Sequence, residues 1–154
     1  GEPRLVVADE PTTALDVSTQ AQVLAVLRRF CRDHGTAVML ITHDLGVVAE
    51  TCDRVAVMYA GRLVEIGPVA EVLDAPAHPY TRGLLDAVPT LAGERERLPQ
   101  IEGTMPAPDA LPAGCAFHPR CPRRMARCCV ERPPLLAAGE RRAACWLHAP
   151  GEPA

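Results

Sequence analysis

A chain of 154 residues, 48% of them hydrophobic, is long enough to bury a core in one domain or one and a half. A net charge of −3 argues for no particular partner, no apolar run approaches the ~20 residues that cross a bilayer, and no signal-peptide pattern is present. A cytoplasmic chain is therefore expected. Aromatics make up only 3%, so Leu, Val and Ala are expected to fill the core; all 16 basic residues are arginine. Charge and cysteine are unevenly spread. Residues 1–88 carry 7 Arg against 12 acids, whereas residues 115–145 carry 7 Arg against 2 acids and five of the seven cysteines.

Leu5-Val6-Val7-Ala8 runs straight into Asp9-Glu10-Pro11, which reads as a buried strand ending at the ligand-binding edge of a sheet. In extended chain the adjacent Asp9 and Glu10 point to opposite sides, so one can hold Mg²⁺ while the other faces an attacking water. An isolated acidic pair is more often an ordinary turn, so the assignment leans on the motifs downstream of it. A helix is expected after Asp16, capped by Ser18 or Thr19, the latter with Gln22 in a capping box. Val17, Ala21, Leu24, Leu27 and Cys31 form its apolar face, and Gly35 is its stop. A second apolar strand, Ala37–Ile41, ends in Thr42-His43-Asp44, and Asp44 is placed to cap a helix over Leu45–Cys52.

Val55–Tyr59 and Leu63–Ile66 flank Gly61-Arg62, the pattern of a hairpin with a two-residue turn. Pro68 and Pro79 are each placed to open a short helix. Residues 89–114 hold five prolines and the charge run Glu94-Arg95-Glu96-Arg97, and read as an extended linker. The tail has the spacing Cys115-x5-Cys121-x6-Cys128, then Cys145 after sixteen residues, with Cys129 an extra neighbour. It lacks the Cys-x2-Cys pairs of a zinc knuckle, a disulfide framework does not suit the cytoplasm, and ferredoxin runs are spaced differently; spacing alone leaves metal binding open. Its arginine patch has no aromatic interleaving beyond Phe117, which argues against nucleic acid. His34, His78, His118 and His148 are expected to be solvated or structural.

Leu-Val-Val-Ala-Asp-Glu-Pro-Thr-Thr-Ala-Leu-Asp at 5–16, followed by Ile41-Thr42-His43-Asp44, resembles the second half of an ABC-type ATPase over residues 3–88. The stretch Tyr59–Pro68 resembles transporter members, and His78-Pro79-Tyr80-Thr81 the oligopeptide/dipeptide importer branch. The resemblance implies an α/β fold: the C-terminal part of a P-loop NTPase parallel sheet with flanking helices over 1–88, a linker over 89–114, and a small irregular cysteine-rich extension over 115–148. It implies ATP hydrolysis with Mg²⁺ that drives peptide import at the cytoplasmic face of the membrane. The implied partners are transmembrane permease subunits, a second ATPase subunit and, indirectly, an extracytoplasmic solute-binding protein. Asp9 then holds Mg²⁺ through water, Glu10 is the general base, Asp16 couples the two ATPase subunits, and His43 contacts the γ-phosphate.

Gly114-Cys115-x-Phe117-x-x-Arg120-Cys121, with Cys128 and Cys145, is similar to the importer ATPases' C-terminal extension, which holds a [4Fe–4S] cluster. The resemblance implies these four cysteines as ligands, with Arg120, Arg123, Arg124 and Arg127 offsetting the cluster's charge. No Gly-x4-Gly-Lys-Ser/Thr loop, Leu-Ser-Gly-Gly signature or glutamine loop occurs. The expectation is a fragment that by itself neither binds ATP nor folds as a stable monomer. Its strands at Val38–Ile41 and Val55–Met58 are then expected apart, or paired non-natively. The competing expectation is a non-catalytic piece whose only working site is a metal-binding tail, iron–sulfur or zinc.

Overall fold

A computed structural model describes residues 3–88 and 99–151. The chain forms two compact units, residues 1–52 and 53–154. Pro89 and the charge run Glu94–Arg97 lie outside the described residues.

The first unit is a strand–helix–strand–helix array. Strand β1 (Leu5–Asp9) pairs in parallel with β2 (Ala37–Ile41), Leu5 opposite Ala37 and Asp9 opposite Ile41. Helix α1 (Val17–His34) makes the crossover that a parallel pair requires. Asp16, not Ser18 or Thr19, caps it: the Asp16 side chain accepts from the Thr19 amide at 3.0 Å and from the Thr19 hydroxyl at 2.7 Å. The stop is Gly35, left-handed at φ 61°, with its N–H on the Cys31 carbonyl. The buried stripe is shorter than the spacing implies. Leu24 is buried and Leu27 and Cys31 are half-buried, but Val17 and Ala21 at the start face solvent. Helix α2 (Leu45–Thr51) is capped by Asp44, which accepts from Gly46 and Val47 amides; Cys52 lies just past its end.

Strand β1 is not buried on both faces. Leu5, Val7, Met39 and Ile41 are 53%, 56%, 54% and 46% exposed, while Val6, Ala8, Val38 and Leu40 on the other face are half-buried. A two-stranded sheet with a helix on one side leaves its second face uncovered.

The second unit holds β3 (Arg54–Tyr59) and β4 (Arg62–Pro68) as an antiparallel hairpin. The turn is Ala60-Gly61, one residue earlier than the sequence pattern implies. Both residues have positive φ, 48° and 72°, as the hairpin turn that matches strand twist demands. Strands β2 and β3 belong to different sheets, the first parallel and the second antiparallel throughout. Pro68 precedes helix α3 (Val69–Asp74), and Pro79 opens α4 (Pro79–Asp86).

The cysteine-rich tail is more regular than expected. It contains helix α5 (Ala126–Val130) and strands β5 (Leu136–Ala138) and β6 (Arg141–Ala143). Strand β6 pairs with β4 and extends the hairpin to a four-stranded sheet, β3-β4-β6-β5. The approach is close: a Cβ on Gly67 meets the Arg141 side chain at 2.6 Å, so a larger residue there pushes the strands apart. The core is aromatic rather than aliphatic at its centre. Tyr59 and Phe117 are fully buried, and the rings of Tyr59, Tyr80 and Phe117 meet at centroid distances of 4.7 to 5.4 Å in tilted or edge geometry. Val57, Val64, Val72 and Ala116 complete it, and Ile101 packs on its edge. Few aromatics therefore suffice, because they are gathered in one place.

Candidate functional site

The chemistry-bearing residues of the first unit gather beyond the ends of β1 and β2. The Glu10 amide donates to the Ile41 carbonyl at 2.9 Å, which carries the ladder one step past Asp9. Glu10 then turns at φ 44°, so the alternation of an extended strand stops at Asp9 and does not set the Glu10 side chain. Contacts set it instead. Thr13 Oγ1 donates to Glu10 Oε2 at 2.6 Å, and His43 Nδ1 donates to Glu10 Oε1 at 2.9 Å. The Thr13 hydrogen bond first, then that of His43, holds the Glu10 carboxyl below its usual range; the same Glu10 contact raises His43. The two side chains stand as an ion pair on an open surface.

Asp9 is exposed, and its carboxylate has no hydrogen-bond or ion-pair partner among the described residues. It is a free, hard oxygen donor of the kind Mg²⁺ takes. Asp16 spends both oxygens on Thr19 inside the first turn of α1, which also lowers its carboxyl. Thr13 was invisible as a site residue in the sequence. Its only signal is a hydroxyl three residues after Glu10, the spacing at which a turn returns on itself. Ala14, at φ 64°, is a second strained position in the same loop; such strain gathers at functional sites.

In the second unit Cys115, Cys121, Cys128 and Cys145 line one small cavity with His78 and Trp146. Separate elements bring them there: the loop before residues 118–120, the loop after them, helix α5, and the segment following β6. Gly114 makes this possible. Its φ is 68°, and a Cβ there runs into the Cys128 carbonyl oxygen, which the Cys115 amide binds at 2.9 Å. Cys129 lies off the cavity, its sulfur 3.9 Å from the Met125 carbonyl. None of the seven cysteines forms a disulfide among the described residues. Burial raises Cys115 and Cys121 and pushes Cys145 up to about 11, and the neighbouring thiols add to each shift. Four sulfurs thus face one pocket. Among the described residues, however, no three Cys, His, Asp or Glu side chains group closely enough to hold a metal, so the structure does not by itself support the expected cluster. Free space in the cavity is about 10 Å³, so seating a cluster requires the lining loops to spread.

The expected screen of four arginines is thinner than the sequence suggests. Arg120 donates to the Ile101 and Glu102 carbonyls at 2.8 and 2.9 Å. Arg127 pairs with Glu131 and lies 3.5 Å over the Trp146 ring. Arg123 is the one whose charge acts on Cys121. Three histidines of this unit hold backbone groups. His78 accepts from the Tyr80 amide at 3.0 Å and so caps α4, its own amide held by the buried Glu65 carboxylate at 2.9 Å. Burial pulls the His78 pKa down to about 4. His148 reaches the Ala77 carbonyl and His118 the Cys115 carbonyl, each at 2.9 Å.

In the first unit a parallel strand pair ends in a paired glutamate and histidine; in the second a cysteine-rich lobe adds strands to the hairpin. Residues 64–128 match the family described as the oligopeptide/dipeptide transporter, C-terminal region. Over most of its length the chain is similar to ATP-binding proteins of peptide transporters. It is 50% identical over 147 residues to the oligopeptide transport ATP-binding protein AppD of Bacillus subtilis, covering 95% of this chain and 45% of that protein. The oligopeptide transport ATP-binding protein OppD of Salmonella typhimurium is 52% identical over 135 residues, 88% of this chain and 40% of its own length. The probable D,D-dipeptide transport ATP-binding protein DdpD of Escherichia coli is 50% identical over 147 residues, 94% and 44% of the two chains. The solved structure of cbiO1 from Clostridium perfringens, part of the ABC transporter complex cbiONQ, matches with TM-score 0.45 and 32% identity over 48% of this chain and 30% of that one. The chain thus spans less than half the length of the curated relatives it matches. Among the described residues no helix is long and apolar enough to cross a membrane.

Proposed function

We propose that this chain supplies the hydrolytic side of the ATP site in a peptide-import ABC transporter, at the cytoplasmic face of the membrane and against transmembrane permease subunits and a second ATPase subunit. The observation that carries the reading is the Glu10–His43 contact at 2.9 Å beside an unpartnered Asp9, in a chain about 50% identical to peptide-transport ATP-binding proteins. Glu10 takes the proton of the attacking water as general base. Thr13 and His43 fix its two oxygens and keep it ionised, at some cost in basicity because the same contacts lower its pKa. His43, held protonated by Glu10, presents a positive ring where the γ-phosphate carries its charge. Asp9 would hold Mg²⁺ through water; bound there, the ion neutralises charge on the phosphates. Asp16 has the further role of coupling the paired ATPase subunits, through the loop end it pins. Glu10→Gln in the assembled transporter keeps size and removes the base, so ATP turnover falls by ~10²–10⁴-fold while nucleotide still binds. Turnover within a few-fold of the parent sinks the assignment.

Cys115, Cys121, Cys128 and Cys145 would hold a [4Fe–4S] cluster, which supplies a rigid cross-link between α5, β6 and the loops on either side of residues 118–120. Burial raises the pKa of Cys115, Cys121 and Cys145 and keeps these thiols protonated at neutral pH, so loading releases protons. Protein purified without oxygen is expected to be brown. Each of the four Cys→Ser changes abolishes the colour, and Cys129→Ser keeps it. Colourless protein with stoichiometric zinc supports a structural zinc site instead.

A further inference from the structure

We propose that a second cleft in the 53–154 unit binds a small phosphate monoester with an apolar body. The cleft has a volume of about 880 Å³ and runs between α4, residues 99–103 and the Cys121–Arg124 loop. That is the size of a cavity that encloses a small organic ligand, ~300–1,000 Å³. Five arginines line it, Arg82, Arg120, Arg123, Arg124 and Arg141, against two acids, Asp86 and Glu102. Two of the five are spent on the fold: Arg120 on the Ile101 and Glu102 carbonyls, and Arg141 on the Glu71 and Ala138 carbonyls and the Glu71 carboxylate. The other three are available. The Arg123 and Arg124 guanidinium groups make no side-chain hydrogen bond or ion pair with a described residue, though the Arg123 charge acts on Cys121, and Arg82 makes one long bond, 3.3 Å, to the Pro76 carbonyl.

The available forks sit on two walls, Arg82 on α4 and Arg123 and Arg124 on the loop after Cys121. A guanidinium presents paired N–H donors that match the oxygens of phosphate or carboxylate. Three positive charges exceed what one carboxylate neutralises, and suit a dianion. Pro79, Pro119 and Leu147 add apolar wall, which free phosphate leaves unused and an organic body covers. The site uses none of Asp9, Glu10, Asp16 and His43, and none of the four cavity thiols except Cys121 lines it.

The test is calorimetric titration of the full chain with phenyl phosphate, with inorganic phosphate, and with vesicles containing phosphatidic acid. Amide resonances of Gly83 and Gly103, both on the cleft, locate the binding. Phenyl phosphate is expected to bind with submillimolar Kd, at least about tenfold tighter than inorganic phosphate, and to weaken with added salt. Arg123→Gln with Arg124→Gln is expected to weaken it at least about tenfold. Arg82→Gln, on the opposite wall and away from the cysteines, weakens it severalfold in a protein whose thermal melt is unchanged. The proposal is overturned by no binding of phenyl phosphate, by equal binding of inorganic phosphate, by binding to vesicles alone, or by binding that both sets of variants leave intact.

Discussion

Among the apolar side chains of residues 3–52, Leu24, Val47 and Val48 are buried, and Asp9, Glu10, Asp16 and His43 are all exposed. In residues 53–151 the order is reversed. Tyr59, Val72, Phe117, Ala143 and Trp146 are buried, and the groups with chemical capacity, four thiols and the acid Glu65, are drawn in among them. The first unit holds its working groups with short polar contacts and left-handed backbone; the second holds its own with packing. Polar contacts on a surface are easily rearranged, which suits groups that exchange water, metal and phosphate during a reaction. Packing in a core is not, which suits a site that holds one group permanently.

Truncating the core breaks the comparison most visibly. Phe117→Ala removes the ring that Tyr59 and Tyr80 share, and is expected to destabilise the second unit by ~3–5 kcal/mol. Hydrogen exchange should then accelerate at β3 and β4 amides and stay unchanged at β1 and β2. Equal acceleration in both units denies that they are separate cooperative blocks.

Acid sharpens the comparison, because the two units hold their histidines in opposite ways. His78 is buried and neutral, with a folded pKa of about 4 against about 6.5 unfolded. Between these values the unfolded chain binds more protons, so the contribution of His78 is complete above about pH 6.5 and is lost as pH falls toward 4. The slope is at most about 1.4 kcal/mol per pH unit. Denaturant melts of the second unit across that window measure it, and His78→Gln, which keeps an acceptor for the Tyr80 amide, should flatten the dependence.

The smallest effect is at His43. Its pKa is raised by Glu10 and that of Glu10 is lowered, so the pair exists from below the usual glutamate value to above the usual histidine value. Its contribution disappears as pH rises through the His43 folded pKa, and again as pH falls through that of Glu10. Both groups are fully exposed, so the readout is titration rather than stability. The His43 ring resonance should titrate above 6.5 and return toward 6.5 in Glu10→Gln. A midpoint unmoved by the substitution shows that the pair does not form in solution.

Local patterns in the sequence determined the elements and most of their ends. Apolar runs placed β1 and β2, Gly35 and Asp44 marked helix boundaries, and two β-rich runs specified the hairpin though not its turn, which falls one residue before Gly61-Arg62, because capping and turn formation depend on residues a few positions apart. The family resemblance, the glutamate–histidine motif and the four spaced cysteines were legible for the same reason. Tertiary structure decided what distant residues do to one another. It turned Glu10 out of the strand and gave it Thr13 and His43 as partners, and it left one face of β1 and β2 exposed. It brought β6 from the far end of the chain onto β4, with Ala143 opposite Glu65 and Arg142 opposite Ile66. It drew Arg120 and Arg127 away from the thiols, and it gathered a handful of aromatics into one core. Such contacts are selected by which surfaces bury well together across the whole chain, and no short stretch of residues carries that information.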